Sequence, residues 1–119
     1  MSEPKENAPW VTFRPEIKVL DCTVRDGGLI NNHLFEDDFV KAIYNANIEA
    51  GVDYMELGYK ASNTQFAREE HGDWKYCDED DLRRIVGDND TTLKLSAMAD
   101  AGKTDYKTDI LPAEQSVLD

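Results

Sequence analysis

The chain has 119 residues, a formal net charge of -12 and 40% hydrophobic residues. This length suits one domain, and the hydrophobic share is too high for a disordered chain. The negative charge repels phosphates, so we expect neither nucleic acid nor an anionic membrane as a partner. The sequence has no apolar run near the roughly 18 residues of a membrane span and no apolar signal segment at its start, so we expect a cytoplasmic location.

The first part of the chain predicts a leader, a strand and a loop. Residues 1–16 contain three of the four prolines, which predicts a flexible leader, with Trp10 and Phe13 packing onto the domain. Residues 17–24 are apolar and β-branched, which predicts a first strand that is buried on both faces. Residues 25–36 contain glycines and asparagines that favour turns, so we expect a loop there.

The following segments alternate between helix and strand. Residues 37–51 have helical spacing of apolar positions and end at a glycine, and residues 52–58 predict a second strand. Residues 59–76 form a polar loop that is long enough to be functional or lid-like. Residues 78–87 predict a second helix, whose acidic first turn suits the helix dipole. Residues 92–99 predict a third strand.

The last segment, residues 103–119, is ambiguous, although Pro112 is typical of the first position of a helix. The order β-α-β-α-β predicts a parallel sheet with right-handed crossovers. The two cysteines, Cys22 and Cys77, form no CxxC pair and have no histidine at metal-ligand spacing. We expect both as reduced thiols, with Cys22 as a small core residue in the first strand.

Charged residues lie where the first two strands are expected to end. Arg25 and Asp26 follow the first apolar run, so we expect a cation and a metal-competent carboxylate at the C-terminal tip of strand one, where parallel α/β proteins place catalytic groups. Glu56 within an apolar strand is costly unless it is paired, and Arg25 is its obvious partner. The residues alone leave open whether these charges form a structural ion pair or a catalytic site.

Two stretches resemble a known family. Residues 21–28, with the sequence DCTVRDGG, resemble the D-x-T-x-R-D-G strand of the pyruvate-carboxyltransferase-like, or HMG-CoA-lyase-like, family of metal-dependent TIM barrels. Residues 51–58, with the sequence GVDYMELG, resemble the G-[VI]-x-x-[IVM]-E-x-G strand of the same family. The resemblance covers about residues 17–100 and is closest to the 4-hydroxy-2-oxovalerate aldolase branch.

The resemblance implies that residues 17–119 are the N-terminal β-α-β-α-β part of a (β/α)8 TIM barrel, incomplete in this chain. It implies a lyase or aldolase that acts on a 2-oxo acid through a pyruvate-type enolate. In that family Asp26 matches a ligand of Mg²⁺ or Mn²⁺, and the remaining ligands are expected outside this chain. Arg25 matches the arginine that stabilises the enolate, and Glu56 matches a glutamate near that arginine. Because a TIM barrel has eight strands, we expect the fragment alone to be inactive.

The chain departs from the aldolases at the position of their acid/base histidine, which is Leu29 here. His33 is the nearby candidate to replace that histidine, and the alternative is a solvated loop residue. Tyr59 at the mouth and Asp100 at the tip of strand three are candidates for substrate contacts. The alternative for Asp100 is a turn-capping role. We expect Trp74 to pack within its loop.

A second hypothesis is a non-catalytic fragment or pseudo-enzyme that acts through self-assembly. A three-stranded piece would have two open sheet edges and an exposed inner face, which favours self-association into a homo-oligomer or association with the remainder of the barrel. A small doubly wound ligand-binding domain has less support, because no GxGxxG motif follows strand one.

Overall fold

The computed structural model describes residues 12–119, so the first eleven residues, including Trp10, lie outside the described range. The described chain is a mixed α/β structure with a three-stranded parallel sheet, which confirms the predicted fold class at that level. The helices and strands, in chain order, are β1 (Leu20–Asp21), α1 (Thr23–Asn31), α2 (Asp37–Ala50), β2 (Tyr54–Tyr59), α3 (Glu79–Val86) and β3 (Lys94–Met98). The helices predicted at 37–51 and 78–87 and the strands predicted at 52–58 and 92–99 are confirmed to within two residues.

The sheet has the order β1-β2-β3, and β2 lies at its centre. Met55 lies beside Asp21 on one side and Leu95 on the other. The register with β3 shifts by one residue between Glu56 and Tyr59. Since side chains alternate along a strand, this irregularity returns Tyr59 to the face that Glu56 occupies.

The hydrophobic core forms where the central and last strands meet α2 and α3, with contributions from α1 and the loop before α3. Strand residues Met55, Leu57 and Leu95 have no exposed surface. The full core cluster comprises Val24, Val40, Tyr44, Met55, Leu57, Trp74, Cys77, Leu82, Ile85, Val86, Leu93 and Leu95. Trp74, which was expected to pack within its loop, instead packs into this core and is 1% exposed.

The predictions for residues 17–24 and 25–36 are wrong, because Ile17, Val19 and Leu20 are exposed where a strand buried on both faces was expected, and residues 25–31 are helical where a loop was expected. β1 contains two residues, and α1 begins at Thr23 within the predicted strand. β1 pairs with only one neighbouring strand in residues 12–119, so the sheet does not hold the chain extended beyond Asp21. The backbone N–H of Asp26 donates to the carbonyl of Cys22 at 2.9 Å, which starts the helix. Cys22 therefore follows the strand and is only partly buried.

Gly27 and Gly28 lie inside α1 and not in a turn. Each glycine costs about 1 kcal/mol in a helix relative to alanine. Both are sites of close approach, because a Cβ on Gly28 would lie 2.0 Å from Nδ1 of His33 and one on Gly27 would lie 3.1 Å from the ring of Phe35. The two glycines thus allow the loop after α1 to fold back against the helix.

Two predictions near the chain ends are also corrected. Of the predicted leader, residues 12–16 are described and exposed, and Phe13 is 85% exposed. The expected packing of Phe13 onto the domain is wrong, because the other residues of the range 12–119 leave its ring exposed. After Pro112 the chain makes a single 3-10 turn, Ala113–Gln115, and no α-helix. In residues 12–119 no helix has both the length and the apolar composition needed to cross a membrane.

The last residues lie along the outer edge of β3. The backbone N–H of Asp119 donates to the carbonyl of Leu95 at 2.9 Å. The backbone N–H of Leu95 donates to Oδ2 of Asp119 at 3.0 Å. The preceding residue Val117 is fixed to α3, because its N–H donates to a carboxylate oxygen of Glu79 at 3.0 Å. This segment therefore provides hydrogen-bond partners for the backbone N–H and carbonyl of Leu95 at the outer edge of β3.

Candidate functional site

The centre of the candidate site is an ion pair between α1 and β2. Nη1 of Arg25 donates to Oε2 of Glu56 at 2.8 Å, and the two side chains are 18% and 11% exposed. Truncating one partner of a buried pair leaves the other charge uncompensated, which costs several kcal/mol. The ion pair expected from the sequence is therefore present. It forms because α1 begins at Thr23, so that Arg25 lies on this helix and its side chain reaches Glu56 on the central strand.

Asp26 binds the opposite side of the same guanidinium group. Nε and Nη2 of Arg25 donate to Oδ1 of Asp26 at 3.1 and 2.9 Å. Burial opposes the charged form of Arg25, but the hydrogen bond to Asp26 and the nearby carboxylates outweigh it, so the pKa of Arg25 is raised. The guanidinium is therefore a permanent cation clamped between two carboxylates.

One oxygen of each carboxylate remains without a hydrogen-bond donor among the described residues. These atoms are Oδ2 of Asp26 and Oε1 of Glu56, since Arg25 occupies the other oxygen of each group. The side chain of Asp26 is 60% exposed and open to solvent. A hard carboxylate oxygen in this position fits a Mg²⁺ or Mn²⁺ ligand.

A complete metal site is not assembled from residues 12–119, in which no three His, Cys, Asp or Glu side chains converge to hold an ion. The structure thus offers Asp26 as a single candidate ligand. That this residue binds Mg²⁺ or Mn²⁺, with the other ligands outside this chain, stays a prediction.

Cys22 lies beside this ion pair, which the sequence analysis did not anticipate. Its Sγ is 3.9 Å from Oε2 of Glu56. Burial raises the pKa of the Cys22 thiol and the carboxylate of Glu56 adds to that effect, although Arg25 acts in the opposite direction. The thiol therefore stays protonated and points a weak donor at Glu56. The paired register of β1 and β2 ends at Asp21 and Met55, and Cys22 and Glu56 are the residues that follow this last pair.

Tyr59 and Asp100 lie next along the same end of the sheet. Burial raises the pKa of Tyr59, Arg25 lowers it, and Asp100 raises it again. The charges of both the Arg25 cluster and Asp100 at the tip of β3 therefore act on the Tyr59 phenol. The carbonyl of Asp100 accepts hydrogen bonds from the N–H groups of Lys103 and Thr104, each at 3.1 Å. Asp100 thus serves in a turn, while a substrate contact by Tyr59 or Asp100 stays a prediction.

His33 is a buried residue, so the alternative of a solvated loop histidine is wrong. It is 3% exposed, and its ring lies edge-on to Tyr59 with a centroid distance of 5.3 Å. Burial, with smaller contributions from Lys75 and His71, lowers the pKa of His33 to about 4. Its Nδ1 is buried and has no hydrogen-bond partner among the described residues. His33 is therefore neutral near pH 7, and its ring packs edge-on against Tyr59. An acid/base role for His33 stays a prediction.

The loop between β2 and α3 brings further residues to Tyr59. Nζ of Lys75 lies 4.3 Å from the ring centroid of Phe66 and 5.5 Å from that of Tyr59. Lys60 is buried, and its Nζ donates to the carbonyl of Cys77 at 2.6 Å. Sequence reasoning missed both lysines, because the contact of Lys75 with Tyr59 and that of Lys60 with the Cys77 carbonyl depend on how the loop folds. Leu29, at the position of the aldolase histidine, is 65% exposed on α1.

Comparisons with known proteins add no relative. No family model matches the chain, and no curated protein or solved structure is significantly similar to it. The resemblance at residues 21–28 and 51–58 therefore stays a prediction that depends on those two motifs.

Proposed function

We propose that this chain is the N-terminal part of a metal-dependent TIM-barrel lyase or aldolase. The proposed reaction forms or cleaves a carbon–carbon bond of a 2-oxo acid through an enolate. The observation that carries this proposal is the position of Arg25, which follows the carboxyl end of β1 and lies between Asp26 and Glu56, a residue of the adjacent parallel strand β2. This end of a parallel sheet is where α/β enzymes bind their substrates.

The proposed chemistry needs a fixed positive charge at the enolate oxygen. Breaking the bond next to a carbonyl leaves negative charge on that oxygen, and a preorganised donor lowers the barrier. Arg25 is preorganised because Glu56 and Asp26 hold it through three hydrogen bonds. Loss of one such donor typically reduces the rate by about 10²–10³. A Mg²⁺ or Mn²⁺ ion bound through Asp26 would add Lewis-acid polarisation of the carbonyl.

The topology supports the barrel part of the proposal. The strands succeed one another in chain order across the sheet, as they do in a (β/α)8 barrel. The segment at Val117–Asp119 lies beside β3 on the side where a fourth strand of a barrel would follow. Each of these features is also compatible with other parallel α/β folds, so the barrel is part of the proposal.

Exposed apolar residues favour self-assembly as a second candidate function. Ile17, Val19 and Leu20, at and just before β1, are 58%, 54% and 49% exposed. No strand among residues 12–119 pairs with the outer edge of β1. An open edge with apolar side chains favours pairing with a second copy or with the remainder of a barrel. Sedimentation velocity distinguishes the candidates, because a monomer at 100 μM would exclude a stable homo-oligomer.

Titration with Mn²⁺ tests the metal-dependent proposal on the chain as it exists. We expect paramagnetic broadening of backbone amide NMR signals to begin around Asp26, and Asp26→Asn to abolish it. Asp38→Asn is the matched control, because Asp38 is also an acid on an exposed part of a helix. Broadening that Asp26→Asn leaves unchanged would overturn the assignment of this ligand.

A further inference from the structure

We propose that Lys75 is an activated amine that condenses with the carbonyl group of a small 2-oxo acid to form an imine. This inference goes beyond the proposed function and needs neither a metal ion nor Arg25. It rests on the aromatic surroundings of the Lys75 amine, on the cation beside it and on its position next to Tyr59.

Two aromatic rings shield the amine of Lys75 from water. Its Nζ lies 4.3 Å from the ring centroid of Phe66 and 5.5 Å from that of Tyr59. None of the ion pairs among residues 12–119 includes Lys75, so no described carboxylate lies within 4.0 Å of its amine. The ring faces stabilise an ammonium by only about 0.5–1 kcal/mol at a partly exposed site. The surroundings therefore offer the protonated amine little compensation for lost hydration.

A second cation is anchored beside the first. The carbonyl of Lys75 accepts a hydrogen bond from Ala61 at 3.0 Å, and that of Lys103 accepts one from Ser62 at 2.8 Å. Two consecutive residues after β2 thus hold both lysines at the same end of the sheet. Burial lowers the pKa of Lys75, the charge of Lys103 lowers it further, and Asp100 opposes them. Desolvation and a neighbouring cation are the two means by which proteins activate a lysine nucleophile.

The position also indicates the class of carbonyl compound. Lys103 is paired only loosely, with its Nζ 4.0 Å from Oδ2 of Asp100, and its side chain is 57% exposed. It therefore offers a cation to the carboxylate of a ligand whose carbonyl group lies at Lys75. Tyr59 lies beside Lys75, and the charge of Arg25 acts on the same phenol. A small 2-oxo acid has both required groups on adjacent carbon atoms.

The reaction balances without an oxidant, a reductant or a further reactant. The lone pair of the neutral Lys75 amine attacks the carbonyl carbon, and the carbon–nitrogen bond forms as the carbonyl π electrons move to oxygen. Proton transfer from nitrogen to that oxygen gives a carbinolamine. The carbon–oxygen bond then breaks, and the oxygen leaves as water with both hydrogens of the original amine. The product is an imine between Nζ and the 2-oxo acid.

Reductive trapping tests this proposal with pyruvate as the probe. The whole chain is incubated with pyruvate and sodium cyanoborohydride, and peptide mass spectrometry measures the adduct on each lysine. We expect Lys75 to be modified several-fold faster than Lys107. Lys107 is the matched lysine, because its Nζ also lies near an aromatic ring, 6.0 Å from the centroid of Tyr106. We expect the control variant Lys107→Met to leave the labelling of Lys75 unchanged. We expect Lys75→Met to remove the fast adduct. Lys75→Arg keeps the positive charge and should remove the adduct as well, so it serves as the second variant if Lys75→Met does not fold.

The pH dependence separates an activated amine from one that is merely accessible. The titratable neighbours of Lys75 are Tyr59, His33, Lys103 and Asp100. Because Lys103 lowers the pKa of Lys75, Lys103→Met should raise the pH of half-maximal labelling and reduce the labelling rate at pH 7. Equal labelling of Lys75 and Lys107, or an unshifted pH profile in Lys103→Met, would overturn the proposal. Trapping is carried out in EDTA, so loss of Mn²⁺ binding by Asp26 does not affect it.

Discussion

Arg25 on α1 binds Glu56 on β2 across 31 residues of sequence, with a distance of 2.8 Å between Nη1 and Oε2. The contact joins the helix that follows β1 to the central strand and fixes the direction of the guanidinium group. The same group binds Asp26, so one side chain organises both carboxylates of the candidate site.

The first prediction concerns the stability of this ion pair. We expect Glu56→Gln to lower the free energy of unfolding by about 2 kcal/mol, because it leaves a largely buried guanidinium without one of its two charged partners. The control is Glu16→Gln, which breaks an exposed pair with Arg14, in which the side chains are 59% and 61% exposed. Surface pairs contribute about 0–1 kcal/mol, so the control should change stability little. Urea unfolding measures both variants, and equal losses would contradict the structural role of Glu56.

The second prediction concerns the glycines of α1. Gly28→Ala places a Cβ 2.0 Å from the buried ring of His33, so we expect a loss of about 1–3 kcal/mol despite the better helix propensity of alanine. Gly27→Ala is the matched control in the same helix, because its Cβ would meet only the ring edge of Phe35 at 3.1 Å. We expect Gly27→Ala to stay within about 1 kcal/mol of the unchanged chain. If Gly28→Ala were the more stable of the two in urea, the packing of His33 against α1 would be wrong.

The third prediction is a loss of stability in mild acid. The pKa of His33 falls to about 4 in the folded chain, below the value of about 6.5 expected after unfolding. The unfolded chain therefore binds a proton that the folded chain refuses, and stability falls as the pH drops from 6.5 to 4. One such group contributes a slope of at most about 1.4 kcal/mol per pH unit.

The variant His33→Phe removes this titration and keeps a ring against Tyr59. Urea unfolding at several pH values should show a smaller slope between pH 6.5 and 4 in His33→Phe than in the unchanged chain. The pKa of Asp37 is lowered by its hydrogen bond with Arg84, so this pair loses its contribution in more acidic solution in both proteins. Identical slopes in the two proteins would contradict the buried, neutral state of His33.

The fourth prediction concerns the two thiols, both of which are free. Burial raises the pKa of each, but Cys77 is fully buried while Cys22 is only partly so. We expect a thiol reagent at pH 8 to modify Cys22 slowly in the native chain and Cys77 only after unfolding in urea. Peptide mass spectrometry identifies the modified residue. Modification of Cys77 first would contradict the core position of the segment before α3.

The sequence was most informative where periodicity is strong. The helix that became α2 and the strand that became β2 were predicted because apolar spacing and the glycine at position 51 mark both elements. The pairing of Arg25 with Glu56 was predicted because a carboxylate in an apolar strand needs a partner. The short β1 and the early start of α1 were not predicted, because Gly27 and Gly28 are typical of turns and only the packing of His33 and Phe35 explains them in a helix.

The residues that surround Tyr59 could not be predicted from local sequence patterns. His33 and Lys75 lie more than forty residues apart in the chain, and they meet this ring from the turn after α1 and from the 3-10 turn Asp73–Lys75. Their positions depend on hydrogen bonds such as that from Gly72 to the carbonyl of Asn32 at 2.9 Å. Such loop contacts have no periodic signature, so the burial of His33 and the environment of Lys75 became visible only in the folded chain.

The most direct test of the central claim is a titration with oxalate, a planar dianion that resembles the enolate of pyruvate, in the presence of Mg²⁺. The measurement is the NMR signal of the Arg25 side-chain Nε–H group. We predict a saturable shift of this signal that disappears in Asp26→Asn and persists in the control Asp38→Asn. An Arg25 signal that oxalate leaves unchanged, in a chain that keeps its fold, would contradict the claim that Arg25, Asp26 and Glu56 form an enolate-binding site.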